Sequence, residues 1–175
     1  NFKKLEKEIL KYKQKTNCKL FNFALGDEYK EANINQVLET SSSTLNSVNT
    51  ETRYFKRKKN ILKLFSRKVE IKKNLIKVVS FMDFIKKNDI EKIDFIKIDT
   101  EGYEFTILKN IETFLKNVGT IQFEHHYDLM IIKNYKFRDI DNLLTKNNFE
   151  KKFKSKMKFR KSFEYIYKNR NFNFD

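Results

Sequence analysis

The segment Lys97-Ile98-Asp99-Thr100-Glu101-Gly102-Tyr103-Glu104 puts three carboxylates within six residues, where an apolar run gives way to a helical pattern. A packed core has no use for that density of charge. Carboxylates so placed can take protons, orient a hydroxyl, or accept the free N–H groups of a helix start. Asp99 is the candidate for chemistry. Glu101 and Glu104 can serve as caps, and Asp99 can pair with Lys97. A second cluster follows at Glu124-His125-His126-Tyr127-Asp128. Either imidazole could act as a general base near neutral pH, with Glu124 orienting it or binding a hydroxyl. Adjacent residues on a strand point to opposite faces, so at most one histidine faces a site. For the same reason the pair makes a poor metal chelate, and no ligand spacing supports a metal held by His125, Asp128 and Asp99, so no metal is expected. A third candidate is the turn Ala24-Leu25-Gly26-Asp27. There Gly26 permits close backbone approach to a flat ligand and Asp27 offers an acceptor to an amine, although Gly-Asp after a strand also makes an ordinary turn.

Sites in open α/β sheets form beyond the carboxyl ends of strands, so the elements around these clusters decide what they can do. Ile93 to Asp99 has the length and apolar character of a buried parallel strand. Alternation puts Phe95, Lys97 and Asp99 on one of its faces. Tyr103, Ile107, Leu108, Ile111, Phe114 and Leu115 then follow helical spacing, with Glu104 in the first turn and Gly119 as the expected stop. Thr120 to Glu124 is a neighbouring strand, with the two histidines beginning an exposed loop. Upstream, residues 2–15 set Phe2, Leu5, Ile9 and Tyr12 on one helical face, and Lys19 to Leu25 reads as a short strand. Residues 28–50, with Thr40 to Thr44 at their centre, read as weak strands around a mobile loop. Residues 51–70 form a basic amphipathic helix or lid. Ile76 to Val79 is a strand, Phe81 to Lys87 a short helix and Phe137 to Asn147 another. The tail reads as a strand pair from the parity of Phe149, Phe153 and Met157 and of Phe163, Tyr165 and Tyr167. The order argues a single α/β domain over residues 1–175, parallel at its centre with an antiparallel C-terminal edge.

The chain has 175 residues, of which 39% are hydrophobic and 15% aromatic, enough for a core and too apolar for a disordered tail. No apolar run is long enough to span a membrane, and none near the N-terminus resembles a secretory leader. With one cysteine, Cys18, expected to be buried, there is no internal disulfide, and a cytoplasmic location fits. The net charge is +15, but lysines interrupt nearly every segment, so the excess reads as a dispersed solvated face and no nucleic-acid partner is expected. A basic nucleic-acid-binding module is the rival reading, motivated by aromatics interleaved with Lys from Phe149 to Tyr167. Burial of those aromatics on one face of a strand pair would weaken it.

The run Asp94-Phe95-Ile96-Lys97-Ile98-Asp99-Thr100-Glu101-Gly102-Tyr103-Glu104, with Ile107-Leu108-Lys109 after it, resembles the core signature of FkbM-type methyltransferases: an apolar strand, Lys-x-Asp-x-Glu-Gly-x-Glu, and a helix with a Leu-Lys pair. The Ala24 to Asp27 turn, the serine-rich stretch Ser41 to Ser43, the Val79 to Phe84 segment with Asp83 and the acidic strand end at Glu124 follow in the family's order. The resemblance implies a Rossmann-like class I methyltransferase fold that uses S-adenosyl-L-methionine and methylates a hydroxyl of a sugar or other small metabolite. It also implies roles. Ala24, Leu25, Gly26 and Asp27 would lie against the adenine. Asp99 would approach both donor and acceptor, Glu101, Glu104 and Glu124 would shape the acceptor pocket, and Asp99, His125 or His126 would take the proton. The family's first strands and glycine-rich cofactor loop would precede Asn1. The chain is therefore expected to be the C-terminal portion of such a domain, binding the cofactor weakly by itself, or else a catalytically incomplete remnant. The basic stretch from Arg53 to Lys68 would attract a phosphorylated or lipid-linked glycan as acceptor.

Overall fold

The computed structural model describes residues 2–11, 17–37, 43–64, 71–157 and 161–174. In chain order the elements are α1 (Phe2–Leu10), β1 (Ala24–Gly26), β2 (Lys30–Val37), β3 (Ser43–Thr44), α2 (Arg53–Leu64), β4 (Ile71–Ser80) and α3 (Phe81–Lys87). They continue with β5 (Ile93–Ile98), α4 (Glu104–Asn110), a 3-10 segment (Glu112–Asn117), β6 (Val118–His126), α5 (Phe137–Lys146), β7 (Phe149–Lys156) and β8 (Ser162–Asn169). Tyr12, Thr40 to Ser42, Phe65 and Lys68 lie outside the described residues.

The strands form two four-stranded mixed sheets, ordered β1-β4-β2-β3 and β5-β6-β8-β7. The second carries the expected antiparallel C-terminal edge, but among the described strands its parallel pair, β5 and β6, lies at the opposite edge and not at the centre. β5 runs parallel to β6, with Ile98 opposite Phe123, while β8 lies antiparallel between β6 and β7. In the first sheet β1 is parallel to β4 and β2 is antiparallel to it. The sheets share a core, because Leu25 of β1 and Phe81 and Ile85 of α3 pack with Ile98, Leu108 and Phe123. One face of β6 is sealed, with Ile121 and Phe123 at 0% exposure, while Thr120 and Gln122 on the other are half-buried. Phe123 stacks on Tyr165 and Tyr167 of β8 at ring separations of 5.5 and 5.8 Å. Those tyrosines are buried, so they present no stacking platform to a base.

Several expectations are corrected. Lys30 to Val37 is a full strand rather than a weak one, and its partner β4 begins at Ile71, five residues before the apolar run that signals it. Lys19 to Phe23 is outside any strand. Among the described strands β5 lies at the edge of its sheet, and Phe95 is half-exposed instead of buried. The helix after Gly102 stops at Asn110 and continues as the 3-10 segment, so Gly119 is a β6 residue and no helix stop. A Cβ at Gly119 would sit 2.8 Å from the Asp94 carbonyl oxygen, which explains the glycine by close strand approach. His125 and His126 belong to β6 and are buried, not exposed in a loop. Cys18 is exposed. Among the described residues no helix is long and apolar enough to cross a membrane.

Candidate functional site

The site builds from the carboxyl ends of the parallel pair. Ile98 and Phe123 are opposite each other, so Asp99 and Glu124 stand one residue further along each strand. The chain turns sharply after Asp99, with Glu101 at φ 51° and Gly102 at φ 102°. Distant groups hold this turn. The Thr44 hydroxyl donates to the Glu101 carbonyl at 2.7 Å, and the Asn46 amide donates to the Gly102 carbonyl at 2.6 Å. From inside, Glu104 Oε1 accepts the Gly102 N–H at 2.7 Å and the Thr100 hydroxyl at 3.2 Å, while its Oε2 accepts the Tyr135 hydroxyl. Glu104 is 1% exposed, so these three donors meet its hydrogen-bonding need in place of water. It fixes the turn. Replacing Gly102 with alanine should cost about 1–3 kcal/mol in thermal unfolding, because a side chain is strained at this φ. The new Cβ would also meet Ile131 Cγ2 at 2.6 Å and Asn46 Nδ2 at 3.1 Å.

His126 ties the turn to β6. Its Nε2 lies 2.8 Å from Glu101 Oε2 and 3.3 Å from Glu124 Oε1, and its Nδ1 lies 3.4 Å from Asp128 Oδ2. Asp128 Oδ1 accepts the Met130 N–H at 3.0 Å, and the half-buried Lys133 ammonium donates to the His126 carbonyl. Burial alone would lower the imidazole pKa, but hydrogen bonds to Asp128 and Glu101 and the charges of Glu101 and Glu124 outweigh it. The pKa is raised to about 10. His126 therefore keeps its proton at neutral pH and is poorly placed to take another. Burial pushes the Asp128 carboxyl up, but His126 and the Met130 N–H more than offset this and hold it below its usual range. His125 points to the opposite face, as strand parity requires, among Tyr127, Phe137 and Tyr135 at ring separations of 4.9, 5.7 and 5.8 Å. Burial, then the charges of Lys133 and His126, depresses its pKa to about 3, so it is neutral. Among the described residues no cluster of His, Cys, Asp or Glu is arranged to hold a metal ion.

Beside this nest runs a cleft of about 550 Å³ between the two sheets. Phe23, Ala24, Leu25, Ile34, Leu45 and Phe81 give it apolar walls, and Lys97, Asp99, Thr100 and Tyr103 supply polar groups at the β5 end. Asp99 is half-exposed there, 3.9 Å from Lys97 Nζ. Of the Ala24 to Asp27 turn, Ala24 and Leu25 line the cleft. Gly26 packs against Val78, where a Cβ would approach to 2.5 Å. Asp27 Oδ1 accepts the Tyr103 hydroxyl at 2.9 Å and pairs with Lys30 at 3.1 Å. Burial would raise the Asp27 pKa, but these two partners bring it below its usual value. Glu101, Glu104 and Glu124 are buried and are not among the residues that line the cleft. Sequence reasoning misses Thr44, Asn46, Lys133 and Tyr135. Tyr135 lies 31 residues from its partner Glu104, and Thr44 lies 57 from Glu101.

The family model for the methyltransferase FkbM domain matches residues 3–151. The chain matches no curated protein and no solved structure. The matched span holds β5, the clamped turn, β6 and both walls of the cleft, so the carboxylate-rich strand end lies within the shared domain. On that match the chain belongs to the FkbM methyltransferase domain family.

Proposed function

We propose that the protein is an S-adenosylmethionine-dependent methyltransferase acting on a hydroxyl oxygen of a sugar or other small hydroxylated metabolite. The observation that carries this is Asp99. Its carboxylate sits at the end of a parallel strand, on the wall of an apolar cleft, within the span that matches a methyltransferase family. The residues present fit part of the cofactor. Phe23, Ala24 and Leu25 offer apolar surface suited to a flat purine, and Asp99 offers the negative charge that a sulfonium favours. When bound, S-adenosylmethionine supplies an electrophilic methyl group. The chain's own task is to align the acceptor oxygen and accept its proton at the Asp99 carboxylate. Glu101 and Glu124, held by His126, keep the floor of that strand end in place.

The described residues contain Gly26, Gly102 and Gly119, with no glycine-rich loop among them, and no described strand pairs with the outer edge of β5. On this reading the groups that hold the methionine and ribose parts are not among the described residues. Titration calorimetry of S-adenosylmethionine into the 175-residue chain and into any longer form of the protein tests it. The expected result is saturable binding by the longer form and weak or no binding by the shorter. No binding by either overturns the reading.

A further inference from the structure

We propose that α2 and the loop after β6 form a docking face for an anionic lipid bilayer. α2 carries exposed Arg53, Lys56, Arg57 and Lys59 and has no acidic residue. Three of these cations occupy its N-terminal half, the end at which a helix dipole favours negative charge. Glu51 pairs with Lys56 at 2.8 Å, but both side chains are more than half exposed, so the pair offsets little. A cationic helix start kept against its own dipole fits an external anion.

The other face of α2 fixes what stands beside those charges. Phe55 is buried against Met130 and Ile131, while the Asn49 N–H donates to the Met130 carbonyl and the Ile132 N–H to the Ser47 carbonyl. Anchoring Met130 and Ile131 leaves their neighbours Leu129 and Ile132 outside, at 78% and 55% exposure. Ile61 of α2 is also exposed, at 47%. A groove of about 360 Å³ lies along the helix, with Phe55 and Ile71 as apolar surface and Lys56 and Lys59 beside them. Cations next to protruding aliphatic side chains complement lipid phosphates above acyl chains. A free phosphate has no use for Leu129 and Ile132, and these aliphatic side chains, at 78% and 55%, protrude further than the loop's aromatic Tyr127 at 45%, where a single-stranded nucleic acid would call for protruding aromatics. The same loop leads from His126 to Lys133, so docking would bring the carboxylate-rich strand end to the membrane surface. That last step rests on the proposed methyltransferase reading and gives the acceptor a class, a hydroxylated headgroup carried on lipid.

Co-sedimentation of the full chain with phosphatidylglycerol-containing vesicles, against vesicles of phosphatidylcholine alone, tests the docking. The expected result is at least tenfold preference for the anionic vesicles. A variant with Arg53→Glu, Lys56→Glu, Arg57→Glu and Lys59→Glu should lose that preference. A Leu129→Ser/Ile132→Ser variant, shown to be folded by circular dichroism, should also weaken binding severalfold. Equal partitioning of the parent chain into both vesicles overturns the proposal. So does full vesicle binding by the aliphatic variant together with charge-dependent binding of a single-stranded RNA oligonucleotide, which would mark a general polyanion surface. The assay needs no methyl donor, so its failure leaves the methyltransferase reading standing, and absent cofactor binding leaves the docking result standing.

Discussion

His126→Ala should destabilise the protein by about 3–5 kcal/mol, measured by urea unfolding at pH 7, because it leaves buried carboxylates without the cation they surround. Glu101, Glu124 and Asp128 all lie within 3.4 Å of the ring nitrogens. The same ring gives the stability a pH signature. Its pKa is raised in the fold from 6.5 to about 10, so the folded state holds a proton that the unfolded state releases. This contribution is complete below about pH 6.5 and is lost as the pH rises through about 10. His125 works in the opposite direction, since its pKa is depressed from 6.5 to about 3. Protonation of the unfolded chain erodes stability as the pH falls from about 6.5 towards 3. Together the two histidines place the stability maximum near pH 6.5. Beside the three carboxylates, the Lys133 side chain from the loop reaches the His126 backbone carbonyl. His126→Gln should flatten the alkaline limb, and an unchanged limb would show that the ring is neutral in the fold.

The opposite fates of the two histidines were legible, because strand parity separates adjacent side chains whatever surrounds them. Their burial was not, since it depends on groups outside the strand, Tyr135 and Phe137 over His125 and Glu101 over His126. Local signals served well where one element carried its own punctuation. Ser80 accepts the Asp83 N–H at 3.2 Å as the cap of α3, and that helix begins and ends where the sequence places it. β2 failed the pattern test because Lys30-Glu31-Ala32-Asn33-Ile34-Asn35-Gln36-Val37 has few apolar residues to alternate, and it is held as a strand by backbone pairing to β4 and β3. At the candidate site, the run from Asp99 to Glu104 announced itself through charge density. The groups that hold it did not. Thr44 and Asn46 fall in a polar stretch with no periodicity, and nothing near Tyr135 signals that its hydroxyl meets Glu104.

Asp99→Asn should reduce methyl transfer by roughly 10²–10⁴-fold while shifting stability by about 0.5 kcal/mol or less. Asp99 is half-exposed, with Lys97 3.9 Å away, so its charge is paid for by solvent and its removal leaves no buried group stranded. Glu104→Ala should show the reverse balance, losing on the order of 3 kcal/mol or more in urea unfolding. It deprives the Gly102 N–H, the Thr100 hydroxyl and the Tyr135 hydroxyl of one shared acceptor in a buried position. Tyr135→Phe removes only one of those donors and should cost less than Glu104→Ala. On the proposed reading, two carboxylates five residues apart divide into one that acts and one that holds, and burial decides which is which. The division is read by pairing each unfolding curve with single-turnover methylation of a hydroxylated acceptor in a form of the protein that binds the methyl donor. An Asp99→Asn protein that turns over at the parent rate would remove Asp99 as the proton acceptor. With His125 buried among aromatic rings and His126 already protonated, the proton would then have to leave to water.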